Sequence, residues 1–356
     1  MKTTALIMAG GRGERFWPRS RMSLPKQFLS LTDDGRTMIQ LTIDRISSIV
    51  DLEDVYIATN TSYKELVAEQ LPGIPEENIL CEPVGRNTAP CIALAAVHIA
   101  RKYEDAIMLV LPSDHLVHSV ETFTQTLQDA VSVASTGSNL VTLGIPPAYA
   151  ETGYGYIHYL QQSPLGKAYA VAQFVEKPNR ETAEKYLAAG DYLWNSGMFI
   201  WKVSSILKNI QAHMPELYNG IQVIREAIGT PREHAVLTET FPSLPSESID
   251  YGIMEKASDI YIIPGNFGWD DVGSWLALER IRQTDHNGNV IAGNVLPVNS
   301  EHCILESSGK LIAAVGLKDL IVIDTEDAIL ICDKEHSEDI KKVLAELRAT
   351  KQDKYI

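Results

Sequence analysis

The chain has 356 residues, 45% of them hydrophobic and 22% charged, and a formal net charge of −15. That charge excludes duplex nucleic acid and anionic membrane surfaces as partners, since both demand a broad basic face. The length exceeds the roughly 250 to 300 residues at which a single core stops growing, so a large domain and a smaller one are expected.

The apolar run Thr4 to Ala9 is too short for a signal peptide and reads as a buried strand. A helix near Thr37 to Val50, a strand from Val55 to Thr59 and a helix from Tyr63 follow. Next come a helix from Thr88 to Tyr103 and strands from Ala106 to Leu111 and from Leu140 to Ile145. This alternation predicts an α/β fold with a doubly wound, mixed, mainly parallel sheet. Thr88 reads as the N-cap of its helix, with Pro90 in the first turn, and the apolar residues all round predict burial. From Gly153 to Trp201 the pattern is β-rich, with a helix at Glu181 to Ala189, and reads as an insertion or lid built onto the sheet. The turn cluster "DHNGN" puts a boundary near Asp285, dividing the chain into 1–285 and 286–356. The second part is a run of short strands closed by an amphipathic helix near Ser337 to Leu347. No apolar stretch approaches the ~20 residues of a membrane span. Cys81, Cys91, Cys303 and Cys332 have no paired spacing, which fits a reducing cytoplasm.

One stretch runs against the acidic whole. "MAGGRGERFWPRSRMSLPKQFL", Met8 to Leu29, gathers Arg12, Arg15, Arg19, Arg21 and Lys26 around Gly10, Gly11 and Gly13. Glycines at a strand end let backbone N–H groups cradle phosphate oxygens. The spacing is neither that of a P-loop nor that of a dinucleotide fingerprint. Arg19 and Arg21 read as a solvated loop face. In "LVLPSDH" the strand delivers Asp114 just past its C-terminal end, where open α/β sheets bind ligands. A carboxylate there suits Mg²⁺, or caps a helix. His115 and His118 lack the further ligands that zinc requires.

"GGRGERFWPRSRMSLPKQF" closely resembles the N-terminal signature of the sugar-nucleotide pyrophosphorylase family, and its FWP and PKQF details resemble the mannose-1-phosphate guanylyltransferase branch. The resemblance continues in family order through "EPVGRNTAP", "LPSDH", "TGYGYI", "FVEKP", "WNSGMFIW", "SIDYGIMEK" and "GWDDVGSW", from Met1 to about Trp275. It implies GMP transfer from GTP to mannose 1-phosphate, giving GDP-mannose and pyrophosphate, by Mg²⁺-assisted in-line attack on the α-phosphate. It further implies that 1–285 is the catalytic domain, that 286–356 resembles a left-handed β-helix, and that the protein is a homodimer.

Carried onto these residues, the resemblance has Arg15 holding the pyrophosphate portion of GTP and Lys26 reaching the α-phosphate. Gly10, Gly11 and Gly13 admit the nucleotide, and Arg12 is a second candidate for the leaving group. The metal ligands are Asp114 and Asp271, with Asp270 the alternate. Guanine offers N–H donors that a carboxylate can accept, which suits Glu82. Asn87 and Thr88 add contacts to base or ribose, and Gly85 permits a close turn. For the sugar the resemblance points to Tyr154, Gly155, Glu176 and Asn195, with Lys177 on the sugar phosphate. Trp194, Met198, Phe199 and Trp201 read as core or pocket wall, and "SIDYGIMEK" as a helix start without a catalytic role. Two other functions remain open: the same chemistry on another sugar or nucleotide, and a non-catalytic homologue that binds nucleotide sugars.

Overall fold

The computed structural model of the protein describes residues 1–11 and 14–356. The chain divides into two compact units. One comprises Met1–Gly10, Ile43–Ser113 and Val117–Trp269, the other Gly11–Thr42, Asp114–Leu116 and Asp270–Ile356.

Nine strands of the first unit form one sheet. Their spatial order is Ile79–Glu82, Val55–Asn60, Lys2–Ala9, Ala106–Pro112, Tyr192–Lys202, Leu140–Ile145, Ile260–Pro264, Ala168–Val175 and Tyr156–Leu165. The first four are mutually parallel, as are Leu140–Ile145 and Ile260–Pro264, and the remaining pairs are antiparallel. This is the mixed α/β sheet expected. In Lys2–Ala9 the neighbours Leu6 and Ile7, which point to opposite faces, are both fully buried, so the sheet is covered on both sides. The helices Thr88–Lys102, Val203–His213 and Pro215–Ala227 pack on the face that carries Leu6, Met108 and Val110. The helix Val120–Ser135 packs against the strands Ala106–Pro112, Leu140–Ile145 and Tyr192–Lys202.

Two expectations are corrected here. The β-rich stretch before Trp201 is not an insertion or lid. Tyr192–Lys202 lies inside the sheet, antiparallel to neighbours on both sides, and its apolar residues are buried because both faces are covered. The N-cap of the long helix is Asn87 rather than Thr88. Asn87 sits at φ 66° and ψ −172°, a region that residues other than glycine seldom occupy, and its side chain accepts the Thr88 N–H at 2.8 Å. The Thr88 side chain is thereby freed from capping, and its hydroxyl accepts the N–H of Ile249 at 2.8 Å.

The second unit is organised around the signature loop and the C-terminal strands. Phe16, Trp17, Leu29 and Leu31 share one buried cluster with Trp275, Ile304, Ile321 and Leu344, and the Phe16 and Trp275 ring centroids are 5.1 Å apart. Val290–Ala292, Ile304–Ser307 and Leu320–Asp324 lie parallel side by side, and Val295–Val298 pairs in parallel with Ile312–Val315. Parallel pairing of strands so close in sequence requires a chain that coils, with Cys303, Leu305, Ala314 and Val322 inside. Fully buried Asn289 holds one turn by donating to Asp285 and to the Ser300 carbonyl while accepting the Cys303 N–H. The closing helix is Ile340–Ala349, preceded by a 3-10 segment at Lys334–Asp339.

Arg19 and Arg21 are not a solvated face. Arg19 reaches Glu306 at 2.5 Å and the Ser30 carbonyl at 3.0 Å, and Arg21 reaches Asp327 at 2.8 Å. Two of the five cations of the loop therefore fasten it to the C-terminal coil.

Candidate active site

In the second unit a cavity of about 640 Å³ is lined by Arg15, Lys26, Asp114, His115, Asp271 and Gly273, among others. Pro25, in an extended conformation, sets up the short 3-10 turn Lys26–Phe28. The turn buries the Lys26 stem and brings its ammonium to 2.9 Å from Asp114 Oδ2 and 2.6 Å from the Asp271 carbonyl. Gln27 steadies the same turn by donating to the Gly11 carbonyl at 3.0 Å. Burial alone would raise the Asp114 carboxyl, but the Lys26 ammonium and His115 outweigh it and hold the group below its ordinary range. Asp114 is thus a carboxylate at neutral pH. Arg15, on the 3-10 turn Glu14–Phe16, is exposed and donates to the Gly273 carbonyl at 3.4 Å.

The neighbouring aspartates divide the work. Asp270 is clamped by Arg280 through bonds of 2.6 and 3.0 Å and accepts the Val272 N–H at 2.7 Å. Asp271 lines the cavity. Between them and Gly273 stands Val272, fully buried and at φ 48°. A β-branched residue in the left-handed region is strained by about 1 to 3 kcal/mol. Such strain persists because the Arg280 clamp and burial over-determine the turn.

In the first unit Glu82 ends the strand Ile79–Glu82 and is 6% exposed. Its Oε1 has no hydrogen-bond partner among the described residues. Burial pushes its carboxyl up to about 7, with the Cys91 thiol acting in the opposite direction. A Cβ added to Gly10 would stand 3.7 Å from Glu82 Oε2. Gly10 and Glu82 thus meet where their strands end, with Gly85, Asn87 and Thr88 following Glu82 in chain order. Gly85 is exposed with open space around it.

The sugar candidates also converge, and they bring a residue the sequence did not single out. Asn195 Nδ2 donates to Asp250 Oδ1 at 2.7 Å while its Oδ1 accepts the Gly197 N–H. The Asn195 N–H is bonded to the Gly155 carbonyl at 2.8 Å. A Cβ on Gly155 would lie 2.6 Å from Glu176 Oε2, so a larger residue there would displace the Glu176 carboxylate. Lys177 pairs with Glu176 at 2.9 Å. Tyr154 sits edge-on to Trp194 and Trp269, at 5.2 and 5.3 Å, whereas Met198, Phe199 and Trp201 are core. Burial pushes the Asp250 carboxyl up to about 6 against the bond from Asn195, and the Glu176 charge adds to the rise. Asp250 opens a five-residue π-helical stretch, Asp250–Met254. Its sequence signal was an aspartate at a helix start, where a dipole role accounts for it without a ligand; the contact with Asn195, 55 residues away, is what marks it.

Arg12 and Gly13 lie outside the described residues. His118 packs against Gly268, whereas His115 lines the cavity. In a separate acidic cluster, Asp51, Glu53 and Asp54, the two aspartates are paired with Lys2, Lys102 and Tyr103.

Comparison with known proteins places the chain in a family. The nucleotidyl transferase family pattern matches residues 4–288, and that of the mannose-phosphate isomerase/GMP-like β-helix domain matches 293–347. The chain is 42% identical over 361 residues to a mannose-1-phosphate guanylyltransferase of Salmonella montevideo, spanning 99% of this chain and 75% of that one. It is 41% identical to a mannose-1-phosphate guanylyltransferase of Escherichia coli K12, over 98% of this chain and 74% of the relative. A crystal structure of a mannose-1-phosphate geranyltransferase from Thermus thermophilus superposes with a TM-score of 0.88 at 34% identity, covering 98% of this chain and 100% of that one. The chain belongs to the nucleotidyl transferase family, within which it groups with the mannose-1-phosphate guanylyltransferases.

Proposed function

We propose that the protein transfers GMP from GTP to mannose 1-phosphate, releasing pyrophosphate and forming GDP-mannose. The observation that carries this reading is the cavity that gathers Arg15, Lys26, Asp114 and Asp271. The attacking oxygen belongs to a phosphate monoester that is already ionised at neutral pH, so no general base is needed. What the protein must do is align two anions and neutralise the charge shifted to the leaving group. Lys26, fixed by Asp114 and the Asp271 carbonyl, is held ready for the α-phosphate without reorganisation. Arg15 serves the departing pyrophosphate by forked hydrogen bonding, and Gly10 and Gly11 let the nucleotide approach the backbone; Arg12 and Gly13 belong to the same proposal.

The donor set fits a hard divalent cation: two carboxylates on one cavity, with Asp114 held ionised. Asp114 and Asp271 would hold Mg²⁺, which supplies charge neutralisation on the phosphates when bound. Asp270 is excluded from that role in this reading by its commitment to Arg280. Glu82 would read guanine by accepting its N–H donors, with Gly85, Asn87 and Thr88 around base and ribose. Tyr154, Gly155, Glu176 and Asn195 would hold the mannose, and Lys177 its phosphate. The matched family stretches support a division into a catalytic part, 1–285, and a β-helix part, 286–356. No helix among the described residues is long and apolar enough to cross a membrane; a cytoplasmic homodimer completes the proposal. Pyrophosphate release across a panel of nucleoside triphosphates and sugar 1-phosphates tests it. GTP with mannose 1-phosphate is expected to be fastest, and a different best pair overturns the assignment.

A further inference from the structure

The phosphate cavity has a wall that the signature loop does not supply. Ser337, Glu338, Ile340, Lys341, Leu344 and Arg348 line it together with Arg15, Lys26, Asp114 and Asp271. Within the helix Ile340–Ala349, positions 341, 344 and 348 follow the three-to-four spacing of a single face, so one stripe of the helix is turned toward the cavity. Ile340 and Leu344 are buried and anchor that stripe in the cluster containing Phe16 and Trp17. Lys341 and Arg348 flank Leu344 two helical turns apart, about 10 Å along the axis. Arg348 bonds Glu14 at 2.6 Å, and Glu14 adjoins Arg15. Lys341 has a long, exposed contact of 3.6 Å with Glu338.

On the loop side the described cations of the cavity are Lys26, placed for the α-phosphate and paired with Asp114, and Arg15, which donates to the Gly273 carbonyl. A nucleoside triphosphate brings close to four negative charges, and neutralising anions in a partly enclosed site is most effective when cations approach from several sides. The helix wall adds two, Lys341 and Arg348, beside the carboxylates of Glu338 and Glu14.

We propose that the helix Ile340–Ala349 is the second half of the anion site, with Lys341 and Arg348 binding the β- and γ-phosphates of the nucleotide and then the released pyrophosphate. The inference rests on the reading of the cavity as a triphosphate site. It assigns the C-terminal part of the chain a direct share in substrate binding, beyond the packing role of its coil.

Calorimetric titration of the whole protein with inorganic pyrophosphate in the presence of Mg²⁺ tests it, alongside steady-state kinetics in both directions. Lys341→Ala and Arg348→Ala are each expected to weaken pyrophosphate binding and raise KM for GTP by about tenfold, the scale of one lost charge-assisted hydrogen bond. KM for mannose 1-phosphate should stay within twofold. Glu14→Gln removes the ion pair but keeps the Arg348 charge, so a loss equal to that of Arg348→Ala would make Arg348 a strut for the loop and overturn its part of the proposal. Arg348→Lys, which keeps the charge, should recover part of the binding. If Lys341→Ala and Arg348→Ala bind pyrophosphate like the parent while Arg15→Ala and Lys26→Ala do not, this inference fails and the proposed function stands. If none of the four moves pyrophosphate binding, the reading of the cavity itself fails.

Discussion

The cavity proposed to take the phosphates and the two clusters proposed to read base and sugar hold their carboxylates in opposite ways. In the cavity, Asp114 is paired with Lys26, which helps hold its pKa down, so it is charged at neutral pH. In the other two clusters, buried Glu82 and half-buried Asp250 have no cation bonded to them among the described residues, and their carboxyls are pushed up to about 7 and about 6. A site that handles phosphates meets a known charge and can prepare for it. A site that reads a base or a sugar needs acceptors whose strength appears when the right N–H or O–H donors arrive, and an unsatisfied buried acceptor penalises a ligand that lacks them.

Breaking the prepared side should cost most. Lys26→Ala is expected to lower kcat by about 10² to 10³, the scale of removing one preorganised electrostatic group. Far-ultraviolet circular dichroism should show an unchanged fold, and turnover near that of the parent would remove Lys26 from the chemistry. Asp271→Asn should cut activity by about 100-fold with little change in Tm, with excess Mg²⁺ restoring part of it. Asp270→Asn loosens the Arg280 clamp and should lower Tm first; activity loss larger for Asp270→Asn at a temperature where both are folded would reverse the assignment of the pair.

The recognition side sharpens the comparison with smaller effects. Glu82→Gln should narrow the preference for GTP over ATP by about tenfold, chiefly through KM, because adenine offers an acceptor at N1 where guanine offers a donor. A full GTP preference in a competition assay would move guanine reading elsewhere. The same substitution has a stability signature. Because the folded pKa of Glu82 is raised, the unfolded chain gives up that proton first as pH rises, so stability is lost between the ordinary pKa of 4.5 and about 7. Glu82→Gln removes this loss, and its Tm should exceed the parent's at pH 8 and converge with it near pH 4. Equal pH profiles would show the carboxyl to be solvated. Smallest is Arg19→Ala, which breaks the pair with Glu306 and should cost about 1 kcal/mol in denaturant unfolding, with turnover within twofold of the parent.

What was legible in the sequence was whatever rests on neighbours in the chain. The strands Val55–Asn60 and Leu140–Ile145 stand in their apolar runs, and the motif order led to Asp114 and Lys26 before any contact between them was known. What was not legible depends on partners far along the chain. Nothing local in "RSR" says that Arg19 and Arg21 will meet Glu306 and Asp327. Nothing local in Tyr192–Lys202 says that it enters the sheet between two strands rather than lying over it. The amphipathic tail helix was visible as a period, yet its face on the cavity depends on how the coil before it winds. Asn87 displaced Thr88 as cap through a backbone angle that residue type only permits.

Val272 ties durability to turnover. The usual route to a more heat-resistant protein relieves strained positions, and glycine at 272 would abolish the left-handed penalty. It would also empty a fully buried site and give the backbone beside Asp271 rotations that valine denies it. The emptied site and the freer backbone offset the strain that glycine would relieve, so sequences adapting to hot environments have reason to keep valine and fortify the Arg280 clamp instead.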